Sequence, residues 1–206
     1  MSFASAMGEY MEDRIKASFQ ESLNLFKKFC DHEENFKKTL KISRLIANAF
    51  NTYNKVIIAG NGGSACDAMH FSQEFTGRFR KDRKSLPVIS LTDPAHITAV
   101  ANDTGFDQVF VRGIESYGQK GDIFIGLSTS GNSPNVIQAV EMARIMGLTT
   151  VALLGKDGGK LKGKADYEFI IPGKTADKAQ EMHMTILHII IEGVERLLFP
   201  ENYAPS

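Results

Sequence analysis

Two short segments of the chain combine glycine with hydroxyl and amide side chains. Residues 60–64 read Gly-Asn-Gly-Gly-Ser, and residues 128–134 read Ser-Thr-Ser-Gly-Asn-Ser-Pro. Glycine lets the backbone approach an anion closely, hydroxyl groups donate hydrogen bonds to its oxygens, and the start of a helix adds unpaired N–H groups. We therefore predict that these segments, called here the first and second cradle loops, bind a phosphate group together.

Each loop taken alone is also typical of a turn followed by a helix cap. Ser133 and Pro134 have the order of an N-cap and a first helical residue, and Ser64 with Asp67 has the spacing of a capping box. Four hydroxyls in residues 128–133 exceed what a cap needs. Neither loop has the Gly-x-Gly-x-x-Gly spacing of a dinucleotide site or the Lys-Ser/Thr ending of a P-loop, so a nucleotide is disfavoured.

A second group of candidate residues follows the first cradle loop. His70 and Glu74 are four residues apart, so on a helix their side chains share one face and can converge on one ion or one substrate. The same spacing is common for a plain surface hydrogen bond. This pair alone does not separate the two interpretations.

The last predicted helix carries polar side chains within an apolar stretch. Gln180 and His188 are eight residues apart, about 80° around a helix axis, whereas His183 and His188 point away from each other. At most one of these histidines shares a site with Gln180, and the spacing does not say which. Nitrogen and oxygen donors of this kind suit zinc or a similar divalent ion. Satisfied hydrogen bonds within a core are the alternative.

The elements that position these residues alternate between strands and helices. Strands are predicted at residues 55–59, 87–90, 122–127, 149–154 and 167–171, with helices at 64–78, 94–102, 107–118, 134–146 and 177–198. This alternation is typical of a parallel sheet with crossover helices. We predict a three-layer α/β/α sandwich with a five-stranded parallel sheet. Both cradle loops follow strands and should face one crevice at the carboxyl edge.

Two helices are predicted before the first strand. Ile15, Phe19, Leu23 and Phe26 recur at steps of three and four residues, and a second apolar run extends from Phe36. Apolar faces of this length need a partner, which is either the sheet or another subunit.

Composition limits the possible partners. Of 206 residues, 43% are hydrophobic and 23% are charged, and 24 basic residues balance 24 acidic ones. Neither disorder nor nucleic-acid binding is indicated. The chain starts without a signal-peptide pattern, and its apolar runs are too short to cross a bilayer, so we expect a cytoplasmic protein with no membrane partner. Two cysteines, Cys30 and Cys66, are too few for a disulfide framework.

The motifs together resemble the phosphoheptose isomerase family of sugar-isomerase (SIS) domain proteins. Besides the cradle loops, the resemblance lies in residues 67–71 (Asp-Ala-Met-His-Phe), 74–78 (Glu-Phe-Thr-Gly-Arg), 102–106 (Asn-Asp-Thr-Gly-Phe) and the Gln-Glu-x-His of residues 180–183. It implies a single SIS domain over residues 1–206, with N-terminal helices at 1–52 and a flavodoxin-like α/β core at 53–200.

The resemblance also implies an activity and a site. The activity is conversion of sedoheptulose 7-phosphate to glycero-manno-heptose 7-phosphate, the first step towards the heptose of lipopolysaccharide or capsule, in a homotetramer with active sites at subunit interfaces. One zinc ion per subunit is implied at His70, Glu74, Gln180 and His188. The implied substrate-binding residues are Asn61, Gly62, Gly63, Ser64, Glu74, Asp103, Ser128, Thr129, Ser130, Ser133, Asp177 and Gln180, with Arg78 beside the site.

For catalysis we expect Glu74 to be the base and His188 the acid, because isomerisation moves a proton between adjacent carbons and develops charge on oxygen. The principal alternative is a non-catalytic SIS protein that binds a phosphosugar or a replication initiator. Such a protein would have no need of His70, Glu74 and His188. An SIS isomerase or lyase for a different phosphosugar is a further alternative.

Overall fold

A computed structural model describes residues 3–204 of the chain. The helices are α1 (Phe3–Cys30), α2 (Glu33–Asn51), α3 (Gly63–Thr76), α4 (Pro94–Thr104), α5 (Val109–Tyr117), α6 (Pro134–Ile145) and α7 (Ala176–Leu198). The strands are β1 (Val56–Gly60), β2 (Val88–Ser90), β3 (Ile123–Ser128), β4 (Thr149–Gly155) and β5 (Tyr167–Ile171). Short 3₁₀ helices cover Phe106–Gln108, Gly159–Leu161 and Pro200–Tyr203.

The five strands form one parallel sheet in the order β2-β1-β3-β4-β5. Their β-branched and apolar residues are buried on both faces, as expected where crossover helices cover both sides of a parallel sheet. The strand order reverses between β1 and β3, and in sheets of this kind ligands bind beyond the carboxyl ends of the strands at that point. The predicted sheet is confirmed.

Helices cover the two faces of the sheet with separate apolar cores. Alternate residues of each strand face opposite sides, so Ile57 packs with α5 and α6, whereas Ile58 packs with α2, α3 and α7. Large buried side chains fill both cores, among them Phe71 of α3 and Phe124 of β3. The three-layer sandwich predicted from the sequence is thereby confirmed.

The two leading helices have different roles in this architecture. Ile42 and Ile46 of α2 are fully buried in the same core as α7, so α2 belongs to the sandwich layer. On α1, Met11, Ile15, Phe19 and Leu23 are exposed at four-residue steps, and Phe19 is 74% exposed. An uncovered apolar stripe of this length is typical of an interaction surface.

Some predicted boundaries differ from the structure. The helix predicted at 107–118 is a 3₁₀ turn followed by α5, because α4 continues to Thr104 and ends at Gly105, whose φ is +101°. Within residues 3–204, no helix is both long and apolar enough to span a bilayer. The predicted division of the chain at residues 52 and 53 stays a prediction, and its outer limits include positions outside the described residues.

Candidate active site

Both cradle loops lie at the sheet edge where the strand order reverses. β1 and β3 are neighbours, and Gly60 pairs in register with Leu127, so the loops that follow them are adjacent. Helix α3 starts at Gly63 within the first loop, and α6 starts at Pro134, the last residue of the second. Two helix N-termini therefore point their free N–H groups towards one edge, an arrangement that favours an anion.

The start of α3 differs from the capping box predicted from Ser64 and Asp67. Gly62 is the N-cap, with a φ of +56° that favours glycine, and Ser64 is the second helical residue. A Cβ on Gly60 would lie 2.7 Å from the Ser64 Cβ, so the turn requires glycine there. The capping-box prediction is wrong, and the buried Ser64 hydroxyl is not used as a cap.

Hydroxyl groups shape the second loop. Ser133 is the N-cap of α6 and Pro134 its first residue, as predicted, but the Ser133 hydroxyl lies 3.0 Å from the Ser128 hydroxyl and does not cap the helix. The Ser128 hydroxyl also accepts from the Gly131 N–H at 3.1 Å, and the Ser130 hydroxyl accepts from the Asn132 N–H at 3.1 Å. These hydrogen bonds fix the shape of the loop, and they use the same hydroxyls that the sequence predicts to bind a phosphate.

An amide pair joins the first cradle loop to the first turn of α6. The side chains of Asn61 and Asn135 donate to each other at 2.9 Å in both directions. Asn135 is 1% exposed, and its side-chain oxygen also accepts from the Val136 N–H at 3.0 Å. Sequence reasoning missed Asn135, because an asparagine in the first turn of a helix carries no distinct signal of its own.

His70, Glu74 and His188 form a group of possible metal donors. Each residue offers one possible ligand atom, and these three atoms lie within 4.8 Å of one another. The His70 Nε2 is 3.1 Å from the Glu74 Oε1, and the His188 Nε2 is 3.4 Å from the His70 Nε2. Helices α3 and α7 pack side by side and bring the group together, a convergence that spacing within one helix could not establish.

His183 belongs to the core. Its side chain is fully buried, and neither ring nitrogen has a hydrogen-bond partner within the described residues. Burial lowers the pKa of His183 to about 4, so the ring is neutral near pH 7. Of the two histidines that the sequence left open, His188 is the one beside His70 and Glu74.

Gln180 lies at the cradle end of α7. Its amide atoms would be 2.6 and 2.7 Å from a Cβ on Gly63, so the side chain packs directly on the first turn of α3. His188 is eight residues further along α7, about 12 Å along the helix axis. Gln180 stays a predicted metal ligand and substrate contact.

The other predicted site residues occupy helix ends. Asp103 is exposed in the last turn of α4, where its carboxylate accepts from the Asn102 side chain at 2.8 Å. Asp177 is exposed in the first turn of α7, and a hydrogen bond from the Thr175 side chain lowers its pKa. Thr129 is half-buried after β3, and Arg78 is exposed after α3.

Asp67 has an electrostatic environment that the sequence did not reveal. It lies one turn before His70 on α3, and its Oδ2 is buried without a hydrogen-bond partner within residues 3–204. Burial raises the pKa of Asp67 to about 6, with the His70 charge opposing this shift. The signal available in the sequence was only its spacing of three from His70.

His188 also borders a groove between α1 and α7, lined by Phe19, Ser22, Lys178 and Glu181 among others. The Lys178 ammonium donates to the Ser22 hydroxyl at 2.7 Å and to the Glu181 carboxylate at 2.9 Å. Burial lowers the pKa of His188, and the nearby His70 lowers it further. The groove is about 660 Å³, a volume typical of small-molecule sites.

The sequence is similar to those of known proteins. The SIS domain family model matches residues 19–155. A phosphoheptose isomerase of Fusobacterium nucleatum is 65% identical over 187 residues, which are 91% of this chain and 96% of that protein. One of Vibrio cholerae is 46% identical over 90% of this chain and 97% of that protein.

Solved structures of phosphoheptose isomerases have a similar fold. The phosphoheptose isomerase of Neisseria gonorrhoeae has a TM-score of 0.82 at 33% identity, and that of Francisella tularensis has a TM-score of 0.85 at 30% identity. Each match covers 90% of this chain and 98% of the other. The chain therefore belongs to the phosphoheptose isomerase family of SIS-domain proteins, which are aldose–ketose isomerases.

Proposed function

We propose that the protein converts D-sedoheptulose 7-phosphate to D-glycero-D-manno-heptose 7-phosphate through an enediolate. The observation that carries this proposal is the convergence of His70, Glu74 and His188 on helices that adjoin the cradle. A protein that only bound a phosphosugar would need the cradle but not this group. The 65% identity to a phosphoheptose isomerase supports the choice of a seven-carbon substrate.

The phosphate of the substrate would be held by the cradle. Hydroxyls of both loops and the free N–H groups of two helix N-termini supply donors to its oxygens. The proposed phosphate-binding residues are Gly62, Gly63, Ser64, Ser128, Thr129, Ser130 and Ser133. Asn61, Asp103, Asp177 and Gln180 are proposed to contact the sugar hydroxyls.

The donor set of His70, Glu74 and His188 fits a zinc ion. Two imidazole nitrogens and one carboxylate oxygen within 4.8 Å of one another are a common protein contribution to a zinc site. Zinc bound there would polarise the carbonyl of the sugar. We propose one zinc ion per subunit, with Gln180 as the fourth protein ligand.

Proton transfer is assigned to two of these residues. Glu74 would take the proton from one carbon and return it to its neighbour. His188 would donate a proton to the carbonyl oxygen and take one back from the neighbouring hydroxyl, so that both side chains return to their starting state. The Glu74 side chain is largely buried, with 14% exposure, and one carboxylate oxygen is held 3.1 Å from the His70 Nε2. Its other oxygen would act as the base.

The active sites are proposed to lie at subunit interfaces of a homotetramer. Glu74 is ten residues from Ser64, about 15 Å along α3, which favours a site where one subunit supplies the cradle and a neighbour supplies the metal group. Gln180, which packs on the cradle, could then join the neighbour's histidines. The exposed apolar stripe of α1 offers a surface for assembly, and sedimentation velocity would measure the assembly state.

In the cell we propose a cytoplasmic enzyme that performs the first step of ADP- or GDP-heptose precursor synthesis for lipopolysaccharide or capsule. The test is incubation of the zinc-loaded protein with sedoheptulose 7-phosphate, with and without a chelator. We expect an aldoheptose phosphate product, lost on chelation and restored by added zinc. Absence of product with zinc present would contradict the proposal and favour a phosphosugar-binding or initiator-binding regulatory protein.

Loss of cradle hydroxyls should weaken substrate binding more than turnover. Replacing both Ser64 and Ser130 with alanine is expected to raise KM about 100-fold or more while kcat changes little, since each hydrogen bond to a charged group contributes roughly 1.5–3 kcal/mol. Steady-state kinetics would measure both constants. Ser116→Ala, which removes an exposed hydroxyl bonded to the Arg112 carbonyl, is the control. An unchanged KM in the double variant would contradict the phosphate-binding role.

A further inference from the structure

The Arg83 guanidinium is buried at the carboxyl end of α3. Its side chain is 1% exposed, its Nη2 donates to the Glu74 carbonyl at 2.6 Å, and its Nη1 donates to the carbonyls of Phe75 and Gly77 at 2.8 Å each. The last carbonyls of a helix have no partner within the helix, and a positive charge is favourable there. Arg83 therefore caps the turn of α3 that carries Glu74.

The same guanidinium is bonded to α7. Its Nε donates to the Glu195 Oε1 at 2.8 Å, and the Glu195 side chain is 2% exposed. The Tyr203 hydroxyl donates to the other Glu195 oxygen at 2.7 Å. Burial and this hydrogen bond raise the pKa of Tyr203 to about 12, so the tyrosine remains a donor. Arg83 thus joins the end of α3 to a fixed carboxylate on α7.

The loop that contains Arg83 also contacts His188. The Phe79 ring stacks on the His188 ring, with 5.8 Å between centroids and 23° between planes. Arg80 forms an ion pair at 2.8 Å with Glu192, one turn beyond His188 on α7. The segment from residue 77 to 86 therefore lies against both helices that carry the proposed metal group.

We propose that Arg83 is a positioning residue for the Glu74–His188 pair, an inference that rests on the proposed function. By holding the last turn of α3 and the following loop against Glu195, Arg83 sets the separation of donors that come from two different helices. Metal affinity is sensitive to groups that orient the ligands, and their loss typically costs about 10–100-fold. Phosphate anchoring should not depend on Arg83, because the cradle lies at the opposite end of α3.

The test is the variant Arg83→Lys, which keeps the charge but cannot donate to several carbonyls and a carboxylate in one plane. We expect zinc affinity, measured by competition with a chromophoric chelator, to fall about tenfold. We expect kcat to fall about tenfold as well, with KM within about twofold of the unsubstituted protein. Circular dichroism would establish that the variant is folded.

Arg144→Lys is the matched control, since the Arg144 guanidinium also donates to a carbonyl, that of Lys164 at 2.8 Å, but from α6 on the opposite layer. It should bind zinc normally. If Arg83→Lys does not fold, Tyr203→Phe removes only the outer hydrogen bond to Glu195, and its zinc affinity should fall at least about threefold.

Two results would overturn the inference. One is normal zinc affinity in a folded Arg83→Lys protein, or, if that protein does not fold, normal zinc affinity in Tyr203→Phe. The other is a raised KM with unchanged kcat. The proposed function fails separately: if the unsubstituted protein itself binds no zinc, the metal role of His70, Glu74 and His188 is refuted, whatever the variant does.

Discussion

Replacing Glu74 with glutamine is expected to lower kcat by about 10²–10⁴-fold, the usual effect of losing a general base. Glutamine keeps the size and one carbonyl oxygen of the side chain, so the α3 fold should persist. It cannot accept the substrate proton at neutral pH. Single-turnover kinetics with sedoheptulose 7-phosphate would measure the chemical step directly.

Two controls separate the base role from a metal role. Zinc content of the Glu74→Gln protein shows how far metal loss contributes, and substrate affinity measured by calorimetry should be close to normal because the cradle is intact. Glu141→Gln removes an exposed carboxylate that pairs with Lys164 on the opposite layer, and it should leave kcat unchanged. Turnover near the normal rate in Glu74→Gln would refute the assignment of the base.

Replacing His188 with asparagine is expected to reduce both zinc affinity and kcat, the latter by at least about 10²-fold. This side chain is assigned two roles, as a metal ligand and as the proton donor, and its Nε2 lies 3.4 Å from that of His70. Zinc binding by chelator competition and product formation should therefore fall together.

His32→Asn is the control for this change, because His32 is an exposed residue at the start of α2 that makes no side-chain cap bond. It should bind zinc and turn over substrate normally. A His188→Asn protein that kept full zinc affinity and lost only kcat would contradict the ligand role. One that lost zinc but regained full kcat at saturating zinc would contradict the proton-donor role.

The strands and most helices could be predicted because their signals are local. Runs such as residues 123–127 are apolar, and Ser133 with Pro134 indicates the start of α6. The predicted cap of α3 was wrong because Gly62 is the N-cap and has a positive φ. The spacing of Ser64 and Asp67 does not reveal this. The place of α2 in the sandwich layer depends on its contacts with α7, which are not visible in its own periodicity.

The candidate site was only partly predictable for a related reason. The sequence identified His70 and Glu74 as a pair, but whether His183 or His188 joins them depends on how α7 packs against α3. Asn135 and Arg83 had no distinguishing local pattern, and Arg83 lies in a basic segment that resembles an ordinary solvated loop. Side chains that act through tertiary contacts become recognisable only when their partners are known.

The amide pair of Asn61 and Asn135 has a consequence for the stability of the whole molecule. The sheet separates two apolar cores. Asn61 lies in the loop that leads into α3 and Asn135 lies in the first turn of α6, and these two helices cover opposite faces of the sheet. A phosphate bound between the two cradle loops would reversibly link the helices on one face of the sheet to those on the other. A ligand present at about 100 times its Kd adds about 2.7 kcal/mol to the free energy of unfolding. That reinforcement would extend to both cores at once, so a substrate-loaded subunit should resist heat as one cooperative unit.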